Sequence, residues 1–441
     1  MFRKRFTFSR IRVFLGGVFV TSHFCLTSHA KEYSLGEVQK RDGIDGRQMW
    51  VTYRGGVYDI TEFKSLHPGG KYIEQAAGDD IEEFWKKWAK HYTSEKASNM
   101  LKELRIGDLK NSPSSNDDNN LPLSHLLKNE LFVDEPKRVL HHHEIFFKQP
   151  FCTQTNVTSL GTYLTSNAAL YVRNHSFVPK HDDISDYTIG FSSDYNDNYS
   201  SFSLLDLSKL PQITITSILQ CAGNRASEDS RHNGANGFAG TPFQRIGIGM
   251  VGNVKWSGVR ISTILKDIYP NECSLQLASM DKQLYHVKFI GGDGYETSTP
   301  LNYILNDYND CLLATSMNDS PLTPDHGFPL RIILPGIAGA RSVKWLESVC
   351  LSEQKSDSPW NSLYYLHANG EQIQEIPMQS LITHPANKVA IRPVDNKIDV
   401  SGVAYSGSSG LTINNVQLSV NNGESWIDTD LLTDELVNEK Y

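Results

Sequence analysis

The chain has 441 residues, 39% hydrophobic and 21% charged, with 42 lysines and arginines against 50 aspartates and glutamates. That length exceeds one ordinary core and implies two or three units. The mildly acidic balance, a formal charge of -8, excludes a broad nucleic-acid surface or a surface for anionic membranes and points to a small or basic partner. The cysteines Cys25, Cys152, Cys221, Cys273, Cys311 and Cys350 contain no CxxC pair, which argues against a disulfide scaffold and a zinc ribbon.

Residues 1–30 carry Arg3, Lys4, Arg5, Arg10 and Arg12, no acidic residue, and a short apolar stretch from Val13 to Val20. The stretch falls short of the roughly 20 residues a membrane span requires, so no stable membrane insertion of the mature protein is expected. Arginine-rich, acid-free composition fits a mitochondrial presequence better than a secretory signal, although Ser28-His29-Ala30 also fits a signal-peptide cleavage site. Either reading ends the segment near Ala30.

Over 31–110, Trp50–Tyr53 and Val57–Ile60 around Gly55-Gly56 read as a hairpin, followed by amphipathic helical stretches, which makes a compact α+β unit. His67-Pro68-Gly69-Gly70 sets an imidazole on a rigid turn, and His91 follows twenty-four residues later. Two surface histidines would look the same. Two neutral imidazoles on opposite faces of an iron, however, make a six-coordinate haem that shuttles electrons. The run DITEFKSLHPGGKYIEQAAGDDIEEFW resembles the cytochrome b5 family. That resemblance implies a haem b with His67 and His91 as axial ligands.

Residues 111–122 open with Asn111-Ser112-Pro113-Ser114-Ser115 and continue polar, as flexible coil does. About ten such residues span roughly 15–20 Å, enough for a small domain to swing over a larger one. From 123 to 378, short β-type runs such as QITITSI, LYHVKFI and LRIILPGI alternate with helical stretches such as SGVRISTILKDI, predicting a mixed α+β domain. Cys221 closes one β-run and opens the turn Ala222-Gly223-Asn224-Arg225. A thiolate there would be a soft ligand for a redox metal, whereas an isolated cysteine is ordinarily a small buried hydrophobe.

Three segments decide between these readings: LYVRNH at 170–175, CAGNR at 221–225 and TPDHGFPLRIILPGIAGARSVKWL at 323–346. Together they resemble the sulfite oxidase and nitrate reductase molybdopterin family, from about Phe151 to the end of the chain. The resemblance implies that Cys221 ligates molybdenum. It also implies that Tyr171, Val172, Arg173, Asn174, His175, Asp293, His326, Arg331, Ser342, Val343 and Lys344 hold the molybdenum-molybdopterin cofactor. A phosphorylated, polar cofactor needs charged and imidazole donors together with backbone N–H groups, and the glycine-bearing, basic run Gly336–Lys344 offers them. Sulfite, a small dianion, needs an arginine fork; Arg173 is the candidate. Tyr365 falls where the family places a pocket tyrosine, with Tyr364 adjacent.

Residues 379–441 show period-two alternation in KIDVSGVAYSG and VQLSVNNGESW, with a turn at Asn421-Asn422-Gly423. They resemble the immunoglobulin-like domain through which the family forms homodimers. About sixty residues are fewer than the roughly 100 of a full sandwich, so an incomplete sandwich with exposed sheet edges is expected. The fold class is therefore α+β multidomain: a cytochrome b5-like haem domain, a sulfite-oxidase-type molybdopterin domain and a partial immunoglobulin-like β-sandwich.

The implied activity is oxidation of sulfite to sulfate, with electrons passed singly through the haem to cytochrome c in the mitochondrial intermembrane space. A nitrate reductase-like molybdoenzyme would resemble the opposite domain order. A cofactor-binding relative without turnover is the non-enzymatic alternative. Ala226 stands where the family has a second arginine after Arg225, and Ile246 where it has a tryptophan. A missing pocket cation and weakened sulfite turnover are the expectation.

Overall fold

A computed structural model describes residues 31–65, 73–74, 76–87, 95–110, 132–181, 183–195, 199–233, 243–279, 282–367, 369–387, 389–407 and 412–432. Residues 1–30, His67, His91 and the linker 111–122 lie outside the described residues.

In the first unit, β1 (Glu32–Tyr33), β2 (Trp50–Tyr53), β3 (Gly56–Asp59) and β4 (Arg105–Leu109) form a sheet in the order β1-β4-β3-β2. The hairpin closes with Tyr53 opposite Gly56, so its two turn residues are Arg54 and Gly55, one position earlier than the sequence pattern placed them. Both have positive φ, 46° and 78°, as a right-twisted two-residue hairpin requires. Gly56 instead belongs to the strand, where a Cβ would lie 2.6 Å from the Tyr58 hydroxyl. Val51, Tyr53, Ile60, Ile81, Trp85 and Leu101 bury one apolar core beneath helices Ile81–Lys87 and Glu95–Glu103.

The middle of the chain holds two sheets. The first contains β9 (Gln212–Gln220), β10 (Val251–Arg260), β13 (Leu312–Met317) and β14 (Ser320–Pro321) in the order β14-β13-β10-β9, with β15 (Arg331–Ile333) also on β13. The second runs β12-β11-β16-β7-β8, where β7 is Thr188–Ser193, β8 Ser200–Ser203, β11 His286–Gly291, β12 Glu296–Pro300 and β16 Leu346–Ser352; β16 is parallel to β7. A separate ladder, β5 (His143–Lys148) with β6 (Phe151–Thr155), precedes them.

Helix Ile261–Ile268 joins the sheets into one core. Ile261, Ile264 and Leu265 repeat at helical spacing, and all are buried with Phe191 and Phe289 of one sheet and Leu313 and Ile332 of the other. The helix begins four residues later than the stretch SGVRISTILKDI implied, because Ser257–Arg260 stay paired to β13 as the end of β10. Each buried aliphatic side chain contributes about 1.5–3 kcal/mol of burial, so this junction sets the relative position of the strand ends that face the gap between the sheets.

At the C-terminal end, β17 (Gln379–His384) pairs with β18 (Ser401–Tyr405), and β19 (Gln417–Leu418) with β20 (Ile427–Asp428). These are two short ladders with Val394, Val420 and Trp426 exposed. The first ladder packs on the middle unit: Tyr405 is buried with Leu160 and Val251, and its hydroxyl donates to Gln220 Oε1 at 2.5 Å. Among the described residues, no helix is long and apolar enough to cross a membrane.

Candidate functional site

A cavity opens between the two sheets. Its wall begins with Cys221, one residue past the end of β9, where the Cys221 N–H bonds to Met250 O at 2.9 Å and the chain turns away from β10. The Gly223 N–H donates to the sulfur at 3.4 Å. Burial raises the thiol's pKa, against the Gly223 hydrogen bond and the Arg173 charge, which both lower it. Of the described cysteines, Cys221 is the one that lines the cavity; Cys152, Cys273, Cys311 and Cys350 are buried elsewhere.

The segment 171–175 contributes alternate residues, as extended backbone does. Tyr171, Arg173 and His175 face the cavity. Val172 and Asn174 do not: Val172 is tied through its backbone to Thr153, and the Asn174 amide donates to Asp325 Oδ1 at 3.0 Å. These two predicted positions hold the wall from behind. His175 Nε2 lies 2.6 Å from the Tyr365 hydroxyl, with its ring within 4.8 Å of Tyr295 and 4.4 Å of Trp360. Tyr365 lines the cavity, while Tyr364 packs on Trp360 and is 43% exposed.

The turn at 324–326, the first residue of β15 and the loop between β15 and β16 complete the wall with His326, Arg331, and Ser342, Val343 and Lys344 in turn. Arg331 donates to the carbonyls of His326 and Ser342, both at 3.0 Å, while its Nε is buried without a partner among the described residues. Burial pulls Arg331 down to about 10 and His326 to about 3, so that imidazole is neutral. Lys344 donates to Asn174 Oδ1 and to Asp325 O, the latter at 2.9 Å. Asp293, on the β11–β12 turn, also faces the cavity and accepts the Tyr295 N–H at 3.1 Å; burial raises its carboxyl and lowers the Lys344 ammonium.

Sequence reasoning missed Leu219, Tyr295, Asp325, Gly339, Ala340 and Trp345, which also line the cavity. Gly339 had a readable signal as part of a glycine-rich run: a Cβ there would lie 2.8 Å from the Tyr171 hydroxyl and 3.0 Å from Gln220 O, so only glycine lets the backbone sit this close. Arg341, which the run also contains, turns away and is fully buried. It donates to Thr297 Oγ1, Asn361 Oδ1 and the carbonyls of Trp360, Tyr365 and Ile373.

Ala226 does not face the cavity. Its methyl is 1% exposed, in the apolar cluster with Leu219, Ile246 and Met250. Arg225 also points outward, to Glu228 at 2.7 Å, Gln379 Oε1 at 2.6 Å and Ser380 O at 3.3 Å. Ala226 thus lies behind the cavity wall, in the same apolar cluster as Cys221 and Tyr171, and the Arg173 guanidinium sits 5.5 Å from the centre of the Phe243 ring.

The donor set fits the molybdenum cofactor. Among the described residues no three His, Cys, Asp or Glu side chains converge on one point, so a metal here has a single protein sulfur and needs its other ligands from a cofactor. Arg173, Arg331 with its unpartnered Nε, and Lys344 bonded to neutral oxygens supply the cationic donors that a pterin phosphate requires.

Three family matches cover the chain: a cytochrome b5-like heme/steroid binding domain over 34–110, an oxidoreductase molybdopterin binding domain over 175–360 and a Mo-co oxidoreductase dimerisation domain over 370–440. The mitochondrial sulfite oxidase of Drosophila melanogaster is 33% identical over 435 residues, 93% of this chain and 70% of that protein. Sulfite oxidase of Gallus gallus is 32% identical over 428 residues, 91% of this chain and 86% of that one. The sulfane dehydrogenase SoxCD of Paracoccus pantotrophus, 21% identical, shares the fold with a TM-score of 0.52 over 73% of this chain and 76% of its own. A single cavity cysteine among cationic donors, and identity above 30% to sulfite oxidases along nearly the whole length, establish that this chain belongs to the sulfite oxidase family.

Proposed function

We propose that this protein oxidises sulfite to sulfate, a two-electron reaction in which water supplies the added oxygen and two protons are released, and passes the electrons singly through a b-type haem. The observation that carries this reading is the placement of one thiol, Cys221, and the half-buried guanidinium of Arg173 on the same cavity wall. The bound cofactor supplies the metal at which oxygen is transferred and which takes up the electron pair.

The chain's own residues do the rest. Cys221 holds the metal, while Tyr171, His175, Asp293, His326, Arg331, Ser342, Val343 and Lys344 hold the pterin, with Val172 and Asn174 bracing the wall. Arg173 binds the sulfite oxyanion, its planar fork matching two oxygens and its charge offsetting the dianion's desolvation. The Tyr365 hydroxyl, fixed by His175, orients the third oxygen. His326 stays neutral in its buried site and contributes a ring nitrogen as a hydrogen-bonding partner without adding charge.

In this reading the functional units are 31–110 for haem, with His67 and His91 as axial ligands, 123–378 for molybdopterin, and 379–441 for homodimer formation. The linker 111–122 lets the haem unit approach the cavity. Residues 1–30 direct the protein to the mitochondrion, where the relatives are named; the intermembrane space and cytochrome c, a basic acceptor suited to a chain of net charge -8, complete the proposal.

Anaerobic addition of sulfite to protein of measured molybdenum and haem content tests it. The haem absorbance should shift to the reduced form in the wild type, and Cys221→Ser should abolish the shift with haem still bound. Haem that stays oxidised in molybdenum-loaded wild type would refute the proposal.

A further inference from the structure

Arg138 belongs to none of the sequence motifs and lies between the linker and β5. Its guanidinium, 13% exposed, forks onto Asp325, with Nε 2.7 Å from Oδ2 and Nη2 2.8 Å from Oδ1. Nη2 also donates to Glu135, whose other oxygen accepts the Val178 N–H at 3.2 Å. The guanidinium carbon lies 4.0 Å from the centre of the Phe151 ring, which holds the fork over β6.

Asp325 is the link to the cavity, which it lines. Its Oδ1 takes the Asn174 amide at 3.0 Å, and its backbone carbonyl takes the Lys344 ammonium at 2.9 Å. The second bond of that ammonium goes to Asn174 Oδ1. Lys344 thus stands beside a carboxylate yet bonds neutral oxygens around it, while the carboxylate oxygens are turned to Arg138 and the Asn174 amide. Were that fork absent, the uncompensated carboxylate would draw the ammonium onto itself, and one cation of the cavity would be cancelled. A lysine at 138 could carry the charge but could not span both oxygens.

We propose that Arg138 is a positioning residue for the anion-binding cavity, holding the Asp325 carboxylate and offsetting part of its charge so that the Lys344 ammonium remains available to the anionic cofactor and substrate. Arg138 touches neither. The inference rests on the sulfite-oxidising reading where sulfite is concerned, but its effect on cofactor retention is independent of turnover.

The test compares Arg138→Gln, Arg138→Lys and the double variant Arg138→Gln/Asp325→Asn in full-length holoenzyme, each with molybdenum per chain measured after gel filtration and with KM and kcat for sulfite. Arg138→Gln should lose molybdenum and raise KM about tenfold with a smaller change in kcat, since one unit of anion attraction is lost. Arg138→Lys should fall between it and the wild type. Removing the carboxylate as well should restore molybdenum and lower KM relative to the single variant, which a merely structural tie would not do. Unchanged molybdenum and KM in Arg138→Gln, or a double variant no better than the single one, would overturn the proposal. Wild type that retains molybdenum but leaves haem oxidised in sulfite would instead refute the activity, with molybdenum retention across the variants still deciding the role of Arg138.

Discussion

Replacing Arg341 by methionine removes a buried cation whose hydrogen bonds all go to neutral oxygens. Two of those bonds are short, 2.7 Å to Thr297 Oγ1 and 2.8 Å to Asn361 Oδ1. Hydrogen bonds to a charged group are each worth about 1.5–3 kcal/mol, so these two alone carry about 3–6 kcal/mol. Methionine fills the space of the aliphatic stem and relieves the desolvation of the guanidinium, whose pKa burial already lowers. A net local loss of about 2–4 kcal/mol remains after that relief. It falls on the segment holding Trp360, Tyr365 and Ile373, whose carbonyls Arg341 gathers. Tyr365 has a φ of 56°, a left-handed conformation unfavourable for a tyrosine that the surrounding bonds maintain. Hydrogen exchange of peptides spanning 359–376, compared with those of β10, reads the loss directly: protection in the former should fall by roughly 30- to 1000-fold while β10 holds. The Ile373 amide, bonded to Tyr365 O at 2.8 Å, is the most sensitive reporter. Protection within about threefold of wild type would show that neutral acceptors around this cation contribute little, and the reasoning would fail.

Tyr365→Phe removes the 2.6 Å contact with His175 without changing ring volume. It should weaken sulfite turnover by about ten- to a hundredfold with molybdenum content unchanged, and steady-state kinetics with metal analysis checks this. The pH dependence of stability follows from His326. Its folded pKa is pulled to about 3, whereas in the unfolded chain it binds a proton near pH 6.5. Between those values the unfolded state binds more protons, so stability falls as pH drops below about 6.5, by up to about 1.4 kcal/mol per pH unit from this residue. In urea titrations at pH 5 and pH 7, His326→Gln should show a shallower difference than wild type; equal differences would mean another group carries the slope.

The cavity was legible because three local runs, LYVRNH, CAGNR and TPDHGFPLRIILPGIAGARSVKWL, supply most of its wall. Tyr365 rather than Tyr364 also follows the resemblance, and the structure puts the former on the wall. What the sequence hides is long-range. Arg138 and Asp325 are 187 residues apart, and no periodicity marks either as the other's partner. Alternation alone could have shown that Val172 and Asn174 face away from Tyr171, Arg173 and His175, but a motif presents all five as equals. That Ala226 is buried with Ile246 and Met250 follows from the turn it sits in, next to Arg225 with a φ of 66°, and no motif reports such a turn. The hairpin turn at Arg54-Gly55 was displaced by one residue because Gly56 is needed for space beside Tyr58, not for its turn conformation.

The first C-terminal ladder grips both sides of the cysteine. Gln220, the residue before it, is held by the Tyr405 hydroxyl, and Arg225, four residues after it, is held by Gln379 and Ser380. The sulfur therefore hangs from a short bridge with both piers resting on a unit whose described residues do not line the cavity. A change in the seating of that unit is expected to act on both piers at once, and so on the sulfur between them. Electron paramagnetic resonance, which senses the geometry around a metal, is then a gauge of how firmly the C-terminal ladder is seated.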